Sequence, residues 1–226
     1  MNRLTVKNYI SDQKKLATKF KLLNSLKCLS NYDEDYDKYD KRILKYYHDY
    51  VENFSSAAMA VSFPTSVFLL VLCEKIRPKR ILDTGSGFSF FLMRYYEEKY
   101  GLEGTEIYSI DDDEGWMGKT QEFLDRYDQK PFKLMTYETF QKECKDTKFD
   151  LIFHDMGNMQ VREESLAVLL DNNVAKGAHV IIDDMHMDEY AAAVRKMLDD
   201  RKVKYYDLEP ITKDFMGRFS CLGILD

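Results

Sequence analysis

The sequence predicts an α/β protein in which a doubly wound, mostly parallel sheet carries helices on both faces. From about residue 80 onward, short apolar segments of strand character alternate with helical stretches, which is the pattern of a parallel sheet. A turn containing Gly85 and Gly87 directly follows the first of these strands. The connection between the last two strands, residues 209–218, is too short for a crossover helix, so this pair is expected to be antiparallel.

Length and composition predict one soluble, cytoplasmic protein with a single large core. The chain has 226 residues, of which 45% are hydrophobic, and its four cysteines form no C-x-x-C pair, which is typical of a reducing compartment. The longest apolar run spans residues 67–73, and charged residues such as Lys7 and Asp12 stand where a signal peptide would be apolar. No membrane partner is expected, and the net charge of -6 argues against nucleic acid.

Residues 1–60 are predicted to form a helical segment that acts as a lid or an oligomerisation surface. Apolar residues recur at three- or four-residue steps over residues 4–29, which indicates an amphipathic helix or a broken pair. A second helix with a tyrosine-rich face is predicted over residues 36–54, and core or interface packing explains that face better than a ligand pocket. The exposed helix pair makes a homodimer plausible.

Residues 61–226 are predicted to form the unit that contains the sheet. A helix is expected from Pro64 to Ile76, where Arg77 and Pro78 end it. The strand candidates that follow are 80–83, 106–110, 132–136, 149–154, 178–182, 203–208 and 219–225. Helices are predicted between them at 90–100, 116–127, 163–170 and 189–200.

Acidic residues gather at the carboxyl ends of the predicted strands, where open parallel sheets bind ligands. Asp83 precedes the glycine turn, Asp111 ends the next strand, and Asp155 and the Asp183-Asp184 pair follow two later strands. The glycine turn alone is a weak signal, because its Gly-x-Gly-x-Ser spacing lacks the third glycine of the dinucleotide fingerprint. Together with Asp111, an acid placed to accept ribose hydroxyls, it predicts a nucleoside-containing cofactor.

Four stretches resemble the core motifs of class I methyltransferases that depend on S-adenosylmethionine (SAM). They are Ile81-Leu-Asp-Thr-Gly-Ser-Gly-Phe-Ser89, Ile107-Tyr-Ser-Ile-Asp111, Phe149-Asp-Leu-Ile-Phe-His-Asp155 and Ala175-Lys-Gly-Ala-His-Val-Ile-Ile-Asp-Asp184. The match covers roughly residues 60–226 and implies a Rossmann-like sheet of seven strands with an antiparallel last strand. This implication agrees with the short final connection.

The resemblance also implies where SAM binds. The residues expected around its methionine part are Asp83, Gly85, Ser86, Gly87 and Ser89. Asp111 is expected to hold the ribose, Asp112, Trp116 and residues 137–138 are expected near the adenine, and Asp155 is expected to complete the cofactor site. The methyl group of a sulfonium is already electrophilic, so such an enzyme mainly aligns a nucleophile behind it and excludes water.

Within that superfamily, the pairs His154-Asp155 and Asp183-Asp184 resemble the metal-dependent O-methyltransferases of the catechol and macrolide-sugar types. This resemblance implies that Asp155, Asp183 and Asp184 bind Mg²⁺, a cation that chelates substrate oxygens and lowers the pKa of a hydroxyl group. The predicted function is therefore cation-assisted O-methylation of a small molecule that carries a hydroxyl group.

One position departs from that pattern. In those families a lysine or histidine stands three residues after the first metal-binding acid and acts as the base, whereas this chain has Asn158 there. Either the metal alone deprotonates the substrate, or His186 or His154 substitutes as the base, or the metal chemistry has been lost. His186 is the preferred catalytic base, and Asp155 is the second predicted catalytic residue.

Two further interpretations stay open at the level of sequence. The missing third glycine and the missing base fit a degenerate methyltransferase fold that serves as a binding or scaffold subunit. A nucleotide-sugar or dinucleotide enzyme would use the same glycine turn, although an antiparallel final strand favours a methyltransferase. The acids themselves have simpler interpretations, because Asp83 and Asp184 could cap helices and Asp155 could be a solvated loop acid.

Overall fold

The computed structural model describes residues 3–100 and 104–225, with side chains from residue 12 onward. Its centre is a seven-stranded sheet in the order β3-β2-β1-β4-β5-β7-β6. The strands are β1 (Arg80–Thr84), β2 (Glu106–Asp111), β3 (Leu134–Thr136), β4 (Phe149–His154), β5 (Val174–Ile182), β6 (Lys204–Asp207) and β7 (Cys221–Ile224). Strands β1 to β5 pair in parallel, while β7 runs antiparallel to both β5 and β6. The predicted doubly wound sheet and its antiparallel last strand are confirmed.

Helices precede the sheet and connect most of its strands. They are α1 (Arg3–Ser25), α2 (Tyr32–Asn53), α3 (Phe63–Ile76), α4 (Phe88–Tyr100), α5 (Glu114–Arg126), α6 (Tyr137–Glu143), α7 (Met159–Asn172), α8 (Asp188–Asp200) and α9 (Glu209–Thr212). Residues 4–29 were predicted to form one helix or a broken pair, and α1 is a single helix over most of that range. A 3-10 turn at Lys27–Leu29 separates it from α2. The short helices α6 and α9 were not predicted, and α7 begins four residues earlier than expected.

Helix α3 shows how the apolar run at residues 67–73 is used. Ser62 caps the helix by accepting a hydrogen bond from the Thr65 amide at 3.2 Å, and Pro64 lies in the first turn. Every residue from Thr65 to Cys73 is buried, because α3 packs against α2, α4 and α9. Within residues 3–100 and 104–225, no helix combines the length and the apolar character needed to cross a membrane.

Helix α2 shares its core with the sheet. Tyr39, Ile43 and Tyr50 are almost fully buried and belong to the same apolar cluster as Phe91 of α4 and Phe153 of β4. The tyrosine-rich face of α2 is therefore largely a packing face. Whether residues 1–60 also act as a lid or in a homodimer stays a prediction.

The order of the strands brings the predicted site residues to one edge. The strand order reverses between β1 and β4, and Thr84 at the end of β1 pairs with both Ile110 and His154. His154 in turn pairs with Ile182 of β5. The loops that follow β1, β2, β4 and β5 therefore emerge side by side, which is where open α/β sheets bind ligands.

Replacing Ile43 by Ala is expected to destabilise the whole protein by about 2–5 kcal/mol, because the side chain is fully buried against the sheet unit. Trp116, the one tryptophan of the sequence, lies in α5 and reports unfolding of the sheet unit by its fluorescence. Leu44→Ala, on the same helix but 44% exposed, is the matched control and should cost at most about 0.5–1 kcal/mol. An unchanged denaturation midpoint for Ile43→Ala would show that α2 unfolds separately from the sheet.

Candidate active site

A cavity of about 410 Å³ opens at the carboxyl edge of the sheet, beside the point where the strand order reverses. The predicted site residues that line it are Gly85, Ser86, Gly87, Ser89, Asp111, Asp112, Trp116, Asp155, Asp183 and Asp184. Tyr50 of α2 and residues 58–61 complete part of the wall. Asp83, His186 and residues 137–138 are not among the lining residues.

The two glycines of the turn after β1 are required by close contacts within the chain. Gly85 has a φ of +90°, and a Cβ atom there would lie 2.5 Å from the carbonyl oxygen of Asp155. Gly87 has a φ of +154°, and its Cβ atom would lie 2.8 Å from the hydroxyl of Tyr50. Such distances are far below van der Waals contact, so a side chain would displace the Asp155 backbone at the first position and the Tyr50 hydroxyl at the second. The amino-terminal helix α2 thus helps to shape this turn.

Asp111 organises the same turn from the neighbouring strand. One carboxylate oxygen accepts hydrogen bonds from the amide and the hydroxyl of Ser86, at 2.7 and 2.9 Å, and the other accepts from the Asp113 amide at 3.0 Å. Burial raises the pKa of Asp111, and these hydrogen bonds act in the opposite direction. A carboxylate has about four acceptor positions, and these hydrogen bonds use three of them.

Trp116 covers the other side of the turn. Asp113 caps α5 by accepting a hydrogen bond from the Trp116 amide at 3.0 Å, which fixes the first turn of the helix at the cavity. The indole nitrogen then donates to the carbonyl oxygen of Ser86 at 2.6 Å. The ring is therefore held against the glycine turn and forms a flat apolar wall.

Asp83 lies beneath the turn and is fully buried. The hydroxyl of Ser109 donates a hydrogen bond to it at 2.7 Å. Burial raises the pKa of Asp83 to about 7, against the lowering effect of the Ser89 and Ser109 hydroxyls. In the described structure, the hydrogen bond from Ser109 to Asp83 joins β2 to β1.

The acids at the ends of β4 and β5 are joined by an arginine for which the sequence motifs predicted no role. Arg162 comes from the first turn of α7, and its side chain is only 7% exposed. Its Nη2 atom lies 2.9 Å from a carboxylate oxygen of Asp155, and its Nη1 atom donates to Asp184 at 2.7 Å. Burial opposes the charge of Arg162, but Asp155 and Asp184 outweigh burial and raise the pKa of the guanidinium.

The predicted magnesium ligands do not fit a divalent cation. Asp155 and Asp184 are bound to Arg162, and Asp183 accepts a hydrogen bond from the Ser220 hydroxyl at 2.7 Å. In the part of the chain that the structure describes, no three side chains of His, Cys, Asp or Glu are grouped to hold a metal ion. A positive charge already occupies the space between two of the three predicted ligands.

The residues considered as the base have other roles or positions. His154 is fully buried with its Nε2 atom 3.0 Å from the Ser165 hydroxyl, and burial together with the charge of Arg162 lowers its pKa to about 3. His186 is partly exposed, with Nδ1 3.5 Å from Asp184, and does not line the cavity. Asn158 caps α7 through hydrogen bonds from the amides of residues 160 and 161. This cap also explains why α7 begins earlier than predicted.

Arg218 clasps two loops at the mouth of the cavity. Its guanidinium donates to the carbonyl oxygens of Ala57, Ala58 and Ala60 at 2.8 to 3.0 Å, and it pairs with the buried carboxylate of Asp214 at 2.8 Å. The large apolar side chains exposed on these loops are Met59, Phe215 and Met216. Residues 57–60 and the loop of residues 213–218 are thus connected to each other.

The fold is similar to that of solved methyltransferases, although no protein-family model and no curated protein sequence matches the chain. The O-methyltransferase from Bacillus cereus, solved with S-adenosylhomocysteine (SAH), has a TM-score of 0.61 at 16% identity; the match covers 83% of this chain and 90% of that one. TomG, an O-methyltransferase from Streptomyces achromogenes solved with SAM, has a TM-score of 0.59 at 16% identity; the match covers 78% of this chain and 86% of that one. The SAH-bound methyltransferase PaMTH1 from Podospora anserina has a TM-score of 0.61 at 14% identity; the match covers 81% of this chain and 88% of that one. The chain therefore has the Rossmann-like fold of class I methyltransferases.

Replacing Asp83 by Asn is expected to flatten the pH dependence of stability between about pH 4 and pH 7. The folded protein holds the proton of this carboxyl up to about pH 7, whereas the unfolded chain releases it near the ordinary value of 3.8. Its contribution is therefore complete below pH 3.8 and is lost as the pH rises to 7, by at most about 1.4 kcal/mol per pH unit. Urea midpoints from pH 4 to pH 8 measure this loss. Equal slopes for Asp83→Asn and the wild type would contradict it.

Replacing Arg218 by Ala is expected to release residues 57–60 and to cost about 1–3 kcal/mol, because the buried Asp214 carboxylate loses its partner. Hydrogen exchange should show faster exchange of the amides at 57–61 and 214–218. Arg195→Ala removes a more exposed pair with Asp207 and serves as the matched control, with a cost below about 1 kcal/mol. Unchanged exchange at 57–61 would mean that the clasp does not hold the loop.

Proposed function

We propose that the chain is a SAM-dependent methyltransferase that transfers a methyl group to an oxygen of a small molecule. The observation that carries this proposal is the convergence of the glycine turn, Asp111 and Trp116 on one cavity at the edge where the strand order reverses. The similarity to proteins solved with SAM or SAH supports the choice of cofactor. The O-methyltransferase names of two of them support oxygen as the acceptor atom.

The residues of the cavity fit this cofactor. Its volume lies within the roughly 300–1,000 Å³ typical of sites for cofactors and small ligands. Asp111 retains an acceptor position for a ribose hydroxyl, the Trp116 ring offers a flat surface for a base, and the turn at Gly85 and Gly87 permits close approach of its backbone. The carboxylates of the cavity match the positive charge of a sulfonium and of an α-amino group.

When SAM is bound, it supplies a methyl group on a positively charged sulfur. The tasks of the chain are therefore to orient an acceptor and to exclude water. Phe88, Ala60 and Val61 provide apolar wall, and Arg218, which holds the loop of residues 57–60, also lines the cavity. Of the three acids that follow β4 and β5, only Asp183 lines the cavity without a bond to Arg162 among the described residues, so we assign it to accept a hydrogen bond from an acceptor hydroxyl.

The Mg²⁺ expected from the resemblance is not part of this proposal, because two of its three ligands hold Arg162. His186 is not proposed as the base, because it does not line the cavity. A catalytically degenerate binding subunit is the alternative function, and it is favoured by one observation: the usual base position carries Asn158, which caps α7.

Wild-type protein is expected to bind SAM and SAH in calorimetry, and Asp111→Ala is expected to bind them about 10- to 150-fold more weakly. This range corresponds to the loss of about 1.5–3 kcal/mol for a hydrogen bond to a charged group. Asp125→Ala, an exposed acid on the same helix as Trp116, is the matched control and should retain wild-type affinity. Quenching of the single tryptophan by the ligand provides a second measurement.

The absence of SAH binding by the wild type would overturn the proposed function. Undiminished binding by Asp111→Ala would place the cofactor elsewhere. Incubation with SAM carrying a labelled methyl group and a pool of small metabolites then separates the two functions. Labelled product supports the enzyme, whereas cofactor binding without any labelled product supports the binding subunit.

A further inference from the structure

The guanidinium of Arg162 occupies the space between the acids that follow β4 and β5. It contacts Asp155 at 2.9 Å and Asp184 at 2.7 Å. Among the described residues, no other ion pair joins the segments that follow β4 and β5. The same Nη2 atom donates to the carbonyl oxygens of Asp155 and Gly157, at 3.0 and 3.3 Å. The arginine therefore satisfies carboxylate and backbone oxygens at one point, as an oxygen-coordinated cation would.

The surroundings of Arg162 fix it in this position. Asn158 caps α7 one turn before it, so the arginine leaves the first turn of a well-formed helix. Gly157, with a φ of +71°, keeps the turn after β4 tight, because a Cβ atom there would lie 2.8 Å from Val161. The ring of Tyr190 from α8 lies 5.9 Å from the guanidinium carbon. The positive charge is thus built into the fold and does not depend on a ligand.

The charges of the site explain why a cation is needed there. Asp155, Asp183 and Asp184 all line one cavity, and three neighbouring carboxylates repel one another when ionised. A divalent cation relieves this repulsion in sites of this kind, and so does a guanidinium in the same place. An arginine that merely stabilised the helix would not have to join the ends of two strands.

We propose that Arg162 takes the place of a divalent cation between Asp155 and Asp184, so that this site works without a metal ion. For catalysis, this inference rests on the proposed function. Its consequence there is that the acceptor is not chelated through two neighbouring oxygens, so an acceptor with a single hydroxyl group suffices. Arg162 is accordingly a positioning residue that holds two carboxylates at the acceptor end of the cavity.

The first test is a titration of the wild-type protein with Mn²⁺. Binding is measured by electron paramagnetic resonance, as the loss of the signal of free Mn²⁺. We expect the wild-type protein to have no stoichiometric Mn²⁺ site that depends on Asp155, so Asp155→Asn should not change Mn²⁺ binding. Neither Mg²⁺ nor Mn²⁺ should increase its Tm. One Mn²⁺ bound per chain, displaced by Mg²⁺ and lost in Asp155→Asn, would overturn the proposal. This measurement needs no variant of Arg162, so it decides even if such variants do not fold.

The second test is to remove the guanidinium. Arg162→Ala should lower Tm by roughly 6–20 °C, because two partly buried carboxylates lose their partner. Mn²⁺ should then bind and raise Tm by about 5–10 °C at 100 times its Kd, whereas Arg162→Lys keeps the charge and should stay insensitive to the metal. Adding Asp155→Asn to Arg162→Ala should abolish the recovery. Arg195→Ala, at an exposed Arg–Asp pair, is the matched control and should remain insensitive.

A folded Arg162→Ala protein that binds no Mn²⁺ would overturn the claim that the arginine replaces a metal, since the acids would then form no metal site by themselves. Calorimetry with SAH separates this inference from the proposed function. If the wild-type protein binds neither SAH nor Mn²⁺, the proposal for Arg162 stands and the proposed function is overturned. If the wild-type protein binds SAH and also binds Mn²⁺ that Mg²⁺ displaces, the proposed function stands and the proposal for Arg162 is overturned.

Discussion

The repulsion between carboxylates at one edge of a parallel sheet is the constraint on which this site depends. The order of the strands places the ends of β4 and β5 side by side, and each is followed by aspartate, so negative charge accumulates where the sheet opens. Arg162 offsets it from a helix that belongs to the connection between the same two strands. The crossover α7 therefore does more than connect β4 to β5, because its first turn supplies the charge that lets the strand ends lie together.

The cavity is shaped from outside the sheet unit as well. Tyr50 of α2 lies so close to Gly87 that a side chain there would displace its hydroxyl, and its ring packs on Phe88 and Phe123. Residues 58–61, just after α2, line the cavity and are held by Arg218 from the loop before β7. The division at residue 60 expected from the sequence thus runs through a continuous core, and the cavity wall is assembled from both sides of that division. The contribution of α2 to the glycine turn was not visible in the sequence because it depends on a contact between residues 37 positions apart.

The sequence was sufficient for the sheet and for the edge that carries the site, but not for the contacts within that edge. Alternating strands and helices, a glycine turn and a short final connection each depend on local residues, and local residues determine them physically. Arg162 was missed because its partners Asp155 and Asp184 lie 7 and 22 positions away, and the second of these distances carries no pattern. Asn158 was compared with the base of another family, whereas an Asn directly before a helix is also a common N-cap, and that local signal would have predicted its observed role. His186 follows two aspartates in the sequence and lies with Nδ1 3.5 Å from one of them, Asp184, but it is not among the residues that line the cavity.

Under the proposed function, an internal cation changes which acceptors the site can take. A chelated cation selects for two neighbouring oxygens, because both must reach the metal at once. The Nη1 and Nη2 atoms of Arg162 already serve Asp155, Gly157 and Asp184, and its Nε atom is buried without a partner among the described residues. Selection then falls to the shape and polarity of the remaining wall, where Asp183 is one of several polar residues and Ala60, Val61 and Phe88 are apolar. Hydrophobic walls discriminate weakly between substrates of similar size, while a buried hydrogen-bonding group discriminates strongly. The acceptor would therefore be recognised chiefly by one hydroxyl placed at Asp183, with its apolar body free to vary.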